Sequence, residues 1–281
     1  MLEAIKKILP ADIRTICSHL EKNPEEIRLR SGAPPCVLKG GAEYTLTESG
    51  AVITPGHLEQ LLHAACSGSR YASMDSLRKG FLTLPGGHRV SFCGEAAVED
   101  GKLLSFRHIS SVSIRVARQC IGCGVPVSVS TLIIGPPGSG KTTLLRDIIR
   151  IISDECGNRV CLADERGEIA ACREGVPQLA VGRHTDVLTG LNKAEAALML
   201  LKNMNPQWIA VDEITSPADV EAILQVMNCG VKLLATAHAD SLEDLLKRSA
   251  YFPLMKHRCF CRIMLLKADH SYSLEEVPKF D

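Results

Sequence analysis

The stretch "TLIIGPPGSGKTTLLRDIIR", residues 131–150, constrains the fold of this chain more than any other. Three apolar residues run into a glycine-rich turn with the pattern G-x-x-x-x-G-K-T, from Gly135 to Thr142, and an amphipathic run follows. A flexible turn needs only glycines. An apolar strand, a tight loop, Lys-Thr and a helix in that order are what a phosphate-binding loop needs. The glycines let backbone N–H groups converge on one point, and the helix N-terminus adds its partial positive charge there. The pattern therefore predicts that Gly135, Pro136, Pro137, Gly138, Ser139, Gly140, Lys141, Thr142 and Thr143 hold the phosphates of ATP. Lys141 would be the point charge for the β- and γ-phosphates, and Thr142 would put a hydroxyl on Mg²⁺.

From Val127 onward the sequence is regular. Short apolar runs, "STLIIG", "NRVCLAD", "QWIAVDE" and "VKLLATAH", alternate with helical patterns, "KTTLLRDIIRIIS", "NKAEAALMLLKNM" and "PADVEAILQVMN". Strands apolar throughout are covered on both faces, so a parallel α/β domain is expected. In such sheets ligands collect at the C-terminal ends of the strands. Three acidic or polar clusters sit at strand ends. Asp212 and Glu213 end "QWIAVDE": Asp212 would hold Mg²⁺ together with Thr142, and Glu213 would polarise the attacking water. Asp164, Glu165 and Glu168 end "VCLADERGE", on a strand expected beside that of the phosphate loop and facing the same phosphates. Thr236, His238 and Asp240 follow "LLA", with His238 a candidate reader of the γ-phosphate. The tail, "CRIMLLKADHSYSLEEV", adds strand material at the sheet edge.

The first ~115 residues change character often, as a mixed α+β module does. Helical patterns open it ("LEAIKKIL", "PADIRTICSHLE"), and "EEIRLRSG" and "PPCVLKGG" read as strands. "TPGHLEQLLHAACSG" carries helix start and stop signals, and "FLTLPGGHRVSFCGEAAVEDGKLLSF" reads as a β-meander with turns at "GG" and "EDG". A boundary near residues 118–125 divides the chain into an N-terminal α+β domain, 1–118, and a parallel α/β P-loop domain, 119–281, which the resemblance given below implies is a RecA-like ATPase core.

Composition excludes some classes. The 281 residues carry 32 basic and 32 acidic side chains, so no general pull toward nucleic acid or anionic lipid is present. Only 4% of residues are aromatic, with one Trp, which is poor material for base stacking and argues against a nucleic-acid-associated ATPase. No apolar run approaches the ~18 residues of a membrane helix, and the N-terminus lacks a secretory h-region. A cytoplasmic chain is expected, peripheral at a membrane only through a partner. Twelve cysteines are scattered, several in apolar runs such as those of Cys161 and Cys229, as buried small hydrophobes are. The pairs Cys120/Cys123 and Cys259/Cys261 do not make a zinc pattern, because the second spacing is too tight.

The order of motifs resembles the core of type II and type IV secretion ATPases, which carry a P-loop, an acidic "Asp box", a Walker B strand and a "His box". Asp164, Glu165 and Glu168 match the Asp box, and Thr236 and His238 match the His box. "EEIRLRSGAPPCVL", "GGHRVSFCGEA", "ISSVSIRVARQCIGCG", "HTDVLTGLNKAEAALMLLKNMNPQWIAVDEI" and "TAHADS" extend the likeness over nearly the whole chain to the stage III sporulation protein AA family. Two departures stand out: Asp212-Glu213 replaces the usual Gly-Glu, with no Arg through Pro217, and Ala239-Asp240 replaces Thr-Asn. The resemblance implies a homo-hexameric ring in which ATP-driven domain motion acts on integral membrane subunits of a channel complex between mother cell and forespore, from the mother-cell side. A γ-phosphate also needs extra positive charge as the transition state forms. Arg107, Arg115 and Arg118 near the domain boundary and Arg183 in "VGRHTDV" are the candidates, in the order Arg115, Arg107, Arg183. A scaffold that binds nucleotide without hydrolysing it is disfavoured, because Lys141, Asp212 and Glu213 are all present.

Overall fold

The computed structural model describes residues 3–18, 24–46, 50–66, 77–78, 80–99 and 102–277. The chain divides into two compact units, Met1–Arg118 with Arg173–Gln178, and Gln119–Cys172 with Leu179–Asp281.

The first unit is built on a six-stranded sheet. Its strands are β1 (Glu26–Arg30), β2 (Cys36–Lys39), β3 (Ala42–Thr45), β4 (Phe81–Thr83), β5 (Arg89–Glu99) and β6 (Lys102–Arg115), in the order β3-β2-β1-β6-β5-β4. All pairings are antiparallel. Helices α1 (Glu3–Ile8), α2 (Ala11–Ser18) and α3 (Pro55–Ala65) supply Ile5, Ile13, Leu58 and Leu61 to a core that receives Ile27, Leu29, Val90, Val112 and Ile114 from the strands. The alternation in "EIRLR" is the cause: Ile27 and Leu29 go to the core, and Arg28 and Arg30 go to the other face. The α3 helix starts where the sequence signals it. Thr54 caps the His57 N–H, His57 caps back onto the Thr54 N–H, and Pro55 stands at the first turn.

The expected meander is present: β4, β5 and β6 are consecutive antiparallel neighbours, and β5 and β6 are its two long strands. Beyond Cys93 they leave the sheet as a two-stranded ribbon. Among the described residues, 94–99 and 102–109 pair only with each other, and the register shifts at three places.

The second unit is a seven-stranded sheet with order β13-β12-β7-β11-β10-β8-β9. Its strands are β7 (Thr131–Gly135), β8 (Val160–Asp164), β9 (Thr185–Thr189), β10 (Trp208–Val211), β11 (Lys232–His238), β12 (Arg262–Leu266) and β13 (Tyr272–Glu276). All neighbours run parallel except β12 and β13. Helices α4 (Lys141–Asp154), α5 (Lys193–Asn203) and α6 (Pro217–Asn228) cover the faces, and α7 (Leu242–Lys247) and α8 (Phe252–Lys256) are short. Two apolar cores flank the sheet. Ile133, Leu162, Ala210 and Leu234 meet α4 on one side, and Leu132, Cys161, Ile209 and Leu233 meet α5 and α6 on the other.

Three expectations are corrected by this topology. The strand that ends in Asp164 is not beside the phosphate-loop strand, because β11 and β10 stand between β8 and β7. The tail is not only edge material: β12 pairs with β7, and of the two tail strands only β13 is an edge. Cys229 is exposed, because it caps the end of α6 instead of continuing its apolar face; Cys161 is buried as expected.

Candidate active site

The phosphate loop joins β7 to α4. At Gly135 a Cβ would lie 2.5 Å from the Leu266 carbonyl oxygen, so the neighbouring strand excludes any side chain there. Gly140 is the N-cap of α4 with φ at +96°, a left-handed conformation that favours glycine. It brings no capping side chain. Helices α5, α6 and α7 begin on Asn192, Ser216 and Ser241, whose side chains each accept a first-turn N–H. The first N–H groups of α4 have no such side chain, and an anion is the partner that the sequence "GSGKTT" leaves for them. The Ser139 hydroxyl, only 2% exposed, has no hydrogen-bond partner, which also suits a loop built to close around a ligand.

A cavity of about 330 Å³ opens at the C-terminal ends of the strands. Gly138, Gly140, Lys141, Thr142 and Thr143 line it from the loop, and Glu165, Arg166 and Glu168 from the segment after β8. Asp212, Glu213 and Thr215 line it from the segment after β10, Thr236 and His238 from β11, and Lys193 from α5. The candidates Lys141, Thr142, Glu165, Glu168, Asp212, Glu213 and His238 thus come together.

Within the cavity the side chains form one polar network. Lys141 Nζ donates to the carbonyls of Gly135 and Pro136, both at 2.8 Å, and lies 2.9 Å from His238 Nδ1. His238 Nε2 is 3.2 Å from Glu213 Oε1. The strand β11, interposed between those of the phosphate loop and of Asp212, therefore sets His238 between the lysine and the acid. Thr236 Oγ1 donates to Asp212 Oδ1 at 3.1 Å. Burial pulls the Lys141 ammonium below its ordinary value, against the opposing pull of Glu213, Asp212 and Asp240.

Asp164 has a different task from Glu165 and Glu168. It is 1% exposed, and its carboxylate accepts the N–H groups of Glu168, Ile169 and Ala170. Burial raises its pKa, and those three bonds oppose the rise. From α4, the Arg146 guanidinium donates to the carbonyls of Ile169 and Glu168. Acid and arginine together clamp the segment that carries Glu165 and Glu168. Asp164→Ala should leave the N–H groups of Glu168 and of buried Ile169 and Ala170 without their acceptor. A stability loss of about 1–3 kcal/mol is expected, read as a lower denaturation midpoint. An unchanged midpoint would remove the clamp.

The arginine candidates fall elsewhere. Arg115 ends β6 in the first unit, exposed, close enough to help hold the Glu26 carboxyl below its ordinary value. Arg107 is exposed on β6, and Arg118 lies 3.8 Å from Glu25. Arg183 precedes β9 and pairs with Asp154, at the end of the sheet opposite the phosphate loop. None of these four lines the cavity. The cations that do, besides Lys141, are Arg166 and Lys193, and sequence reasoning missed both. Arg166 sits in "DERGE" between two candidate acids, which was a legible signal. Lys193 gave another: a lysine at the start of a helix opposes the helix dipole.

The donor set suits the expected ligands. Thr142 and Asp212 are hard oxygen groups of the kind that Mg²⁺ accepts, and Lys141 with the uncapped α4 N-terminus suits a polyphosphate.

A family model for sporulation stage III, protein AA, matches residues 2–274. The chain belongs to the sporulation stage III protein AA family. The Stage III sporulation protein AA of Bacillus subtilis (strain 168) is 35% identical over 281 aligned residues, covering 94% of this chain and 91% of the relative. Among solved structures, the ATPase DotB of Legionella pneumophila superposes with a TM-score of 0.61 at 15% identity, over 95% of this chain and 79% of DotB. The pilus retraction motor PilT, solved with bound ADP, gives a TM-score of 0.59 at 17% identity, over 90% and 77% of the two chains. At those identities the likeness is one of fold: a RecA-like P-loop core preceded by a smaller α+β unit. This chain thus shares its fold with the ATPase DotB and with the pilus retraction motor PilT. No helix among the described residues is long and apolar enough to cross a membrane.

Proposed function

We propose that this protein hydrolyses ATP and that the energy drives assembly of, or transport through, a membrane channel complex joining mother cell and forespore during sporulation. The observation that carries the reading is the single cavity shared by Lys141, Thr142, Asp212, Glu213, Glu168 and His238. The phosphate loop and Lys141 bind and orient the triphosphate. Thr142 and Asp212 hold Mg²⁺, which when bound neutralises charge on the phosphates. Glu213 takes the proton of the attacking water, and His238, already within reach of both Lys141 and Glu213, reads whether a γ-phosphate is present. Glu165 and Glu168 line the same cavity on a segment whose main chain is held by Asp164 and Arg146.

Likeness to secretion and pilus motors supports a homo-hexamer working on integral membrane subunits. It also supports Arg115 as a cation that acts on the phosphates once subunits assemble. Arg115→Ala should leave ATP affinity within about two-fold while kcat falls at least about ten-fold, because such a charge matters most as the transition state forms. Equal kcat for the two proteins would remove Arg115 from the reaction.

The test of the function as a whole is phosphate release from ATP by the full chain. Turnover is expected with Mg²⁺ and should cease on chelation by EDTA. A chain that binds no ATP and releases no phosphate overturns the proposal.

A further inference from the structure

Lys193 is the first residue of α5, following the N-cap Asn192. That is the unfavourable end of a helix for a cation. Its side chain is nevertheless only 13% exposed, although an ammonium group is strongly hydrated and resists burial. What holds it is a set of acceptors from two other segments. Nζ donates to the main-chain carbonyl of Glu213 and reaches Thr215 Oγ1 at 3.5 Å. It also stands 3.7 Å from the Glu165 carboxylate and 3.8 Å from that of Asp219. Glu165 follows β8, and Glu213 and Thr215 follow β10. One ammonium therefore ties two strand-end segments together at the wall of the cavity, and one of its bonds is to the peptide of the proposed water-activating residue.

The neighbouring anchors of that segment act further along the chain. The Ile214 N–H donates to the Thr236 carbonyl at 3.0 Å, the Tyr251 hydroxyl donates to the Ile214 carbonyl, and Asp219 accepts the N–H groups of Thr215 and Ser216. Among these, Lys193 alone grips Glu213 itself. The Glu213 carboxylate on the other side is met by His238. The acid is thus held at both ends, by a lysine at its main chain and a histidine at its side chain.

We propose that Lys193 is a positioning residue for hydrolysis: it fixes the Glu213 main chain and offsets the charge of Glu165 and Asp219 beside it, so that the Glu213 carboxylate faces the attacking water. This rests on the ATPase reading above. A placement error of about 1 Å costs on the order of 100-fold in rate, and losing one of several anchors allows a shift up to that size. Such a residue changes kcat and leaves nucleotide binding alone.

The experiment compares the full-length wild type with Lys193→Met and Lys193→Gln, measuring steady-state Mg-ATP hydrolysis and, separately, the Kd for ADP. Methionine keeps most of the stem without the ammonium. Glutamine keeps an N–H donor without the charge, and serves where the methionine variant does not fold. The methionine variant should lose about ten- to hundred-fold in kcat, with KM and the ADP Kd within about three-fold of wild type; glutamine should fall between the two. An ADP-binding variant with kcat within about two-fold of wild type overturns the role of Lys193 while leaving the ATPase reading intact. A loss of ADP affinity as large as the loss of kcat also overturns it, since Lys193 would then bind nucleotide. A wild type that binds ADP but does not turn over ATP overturns both.

Discussion

Lys141→Ala is expected to weaken ATP binding by at least about ten-fold and to lower hydrolysis by about two to three orders of magnitude, without unfolding the protein. A hydrogen bond to a charged group contributes about 1.5–3 kcal/mol, which sets the binding effect. Loss of one preorganised charge at a developing transition state sets the effect on rate. The stability expectation follows from the same residue's surroundings. Without a phosphate, the Lys141 ammonium is 7% exposed and directed at two main-chain carbonyls and His238. Burial lowers its pKa, so the folded chain binds this proton less tightly than the unfolded chain does. That penalty is fully present below the folded pKa and is relieved as pH rises from there toward the ordinary lysine value. Alanine removes the penalty. The variant should therefore melt no lower than the wild type at neutral pH, while ATP no longer raises its melting temperature. Hydrolysis near the wild-type rate would sink the assignment of the phosphate loop.

Glu213→Gln should keep ATP binding and lower turnover by about 10²–10⁴-fold, the range that a positioned general base supplies. Glutamine preserves size and a hydrogen bond to His238 but cannot take a proton from water. Glu168→Gln is the comparison. Glu168 lines the same cavity, but its peptide is engaged by Asp164 and Arg146, and it follows a strand three removed from the phosphate-loop strand, where Glu213 follows one two removed. A milder effect is expected there. Single-turnover measurements on the two variants decide between them: if Glu168→Gln is the silent one, the base is Glu168. Normal hydrolysis by both would show that the strand-end acids have been misread.

The sequence made the site more legible than its surroundings. The phosphate loop, Asp212, Glu213, Glu165, Glu168 and His238 were readable because each sits at a fixed place after an apolar strand, and the C-terminal ends of parallel strands collect on one side. Strand order was not readable. Nothing local in "VCLAD" or "LLATAH" says which lies next to "TLIIG", since all three are buried on both faces. Strand β9 was missed because "TDVLT" is an edge strand, half exposed and carrying two Thr and an Asp. Asp164 was legible as an acid but not as a clamp, because its partners are backbone N–H groups that exist only after the turn has formed. The arginine search looked for guanidinium groups near the domain boundary. The structure lines the cavity with Arg166 and Lys193 instead, both inside segments first read for their acids or their helix pattern.

The ribbon of β5 and β6 has a consequence for how this protein behaves in a crowded solution. Over residues 94–99 and 102–109 its two outer edges carry no neighbouring strand among the described residues, and exposed Val98 adds an apolar contact. A straight ribbon of that kind would offer a template on which a second chain could add strand upon strand. The register shifts at Cys93/Gly94, Glu95/Ala96 and Ala97/Val98 break the even spacing of the free N–H and C=O groups and tighten the twist. An incoming strand can match only a few residues before falling out of step. The irregularity disfavours edge-to-edge pairing along this stretch.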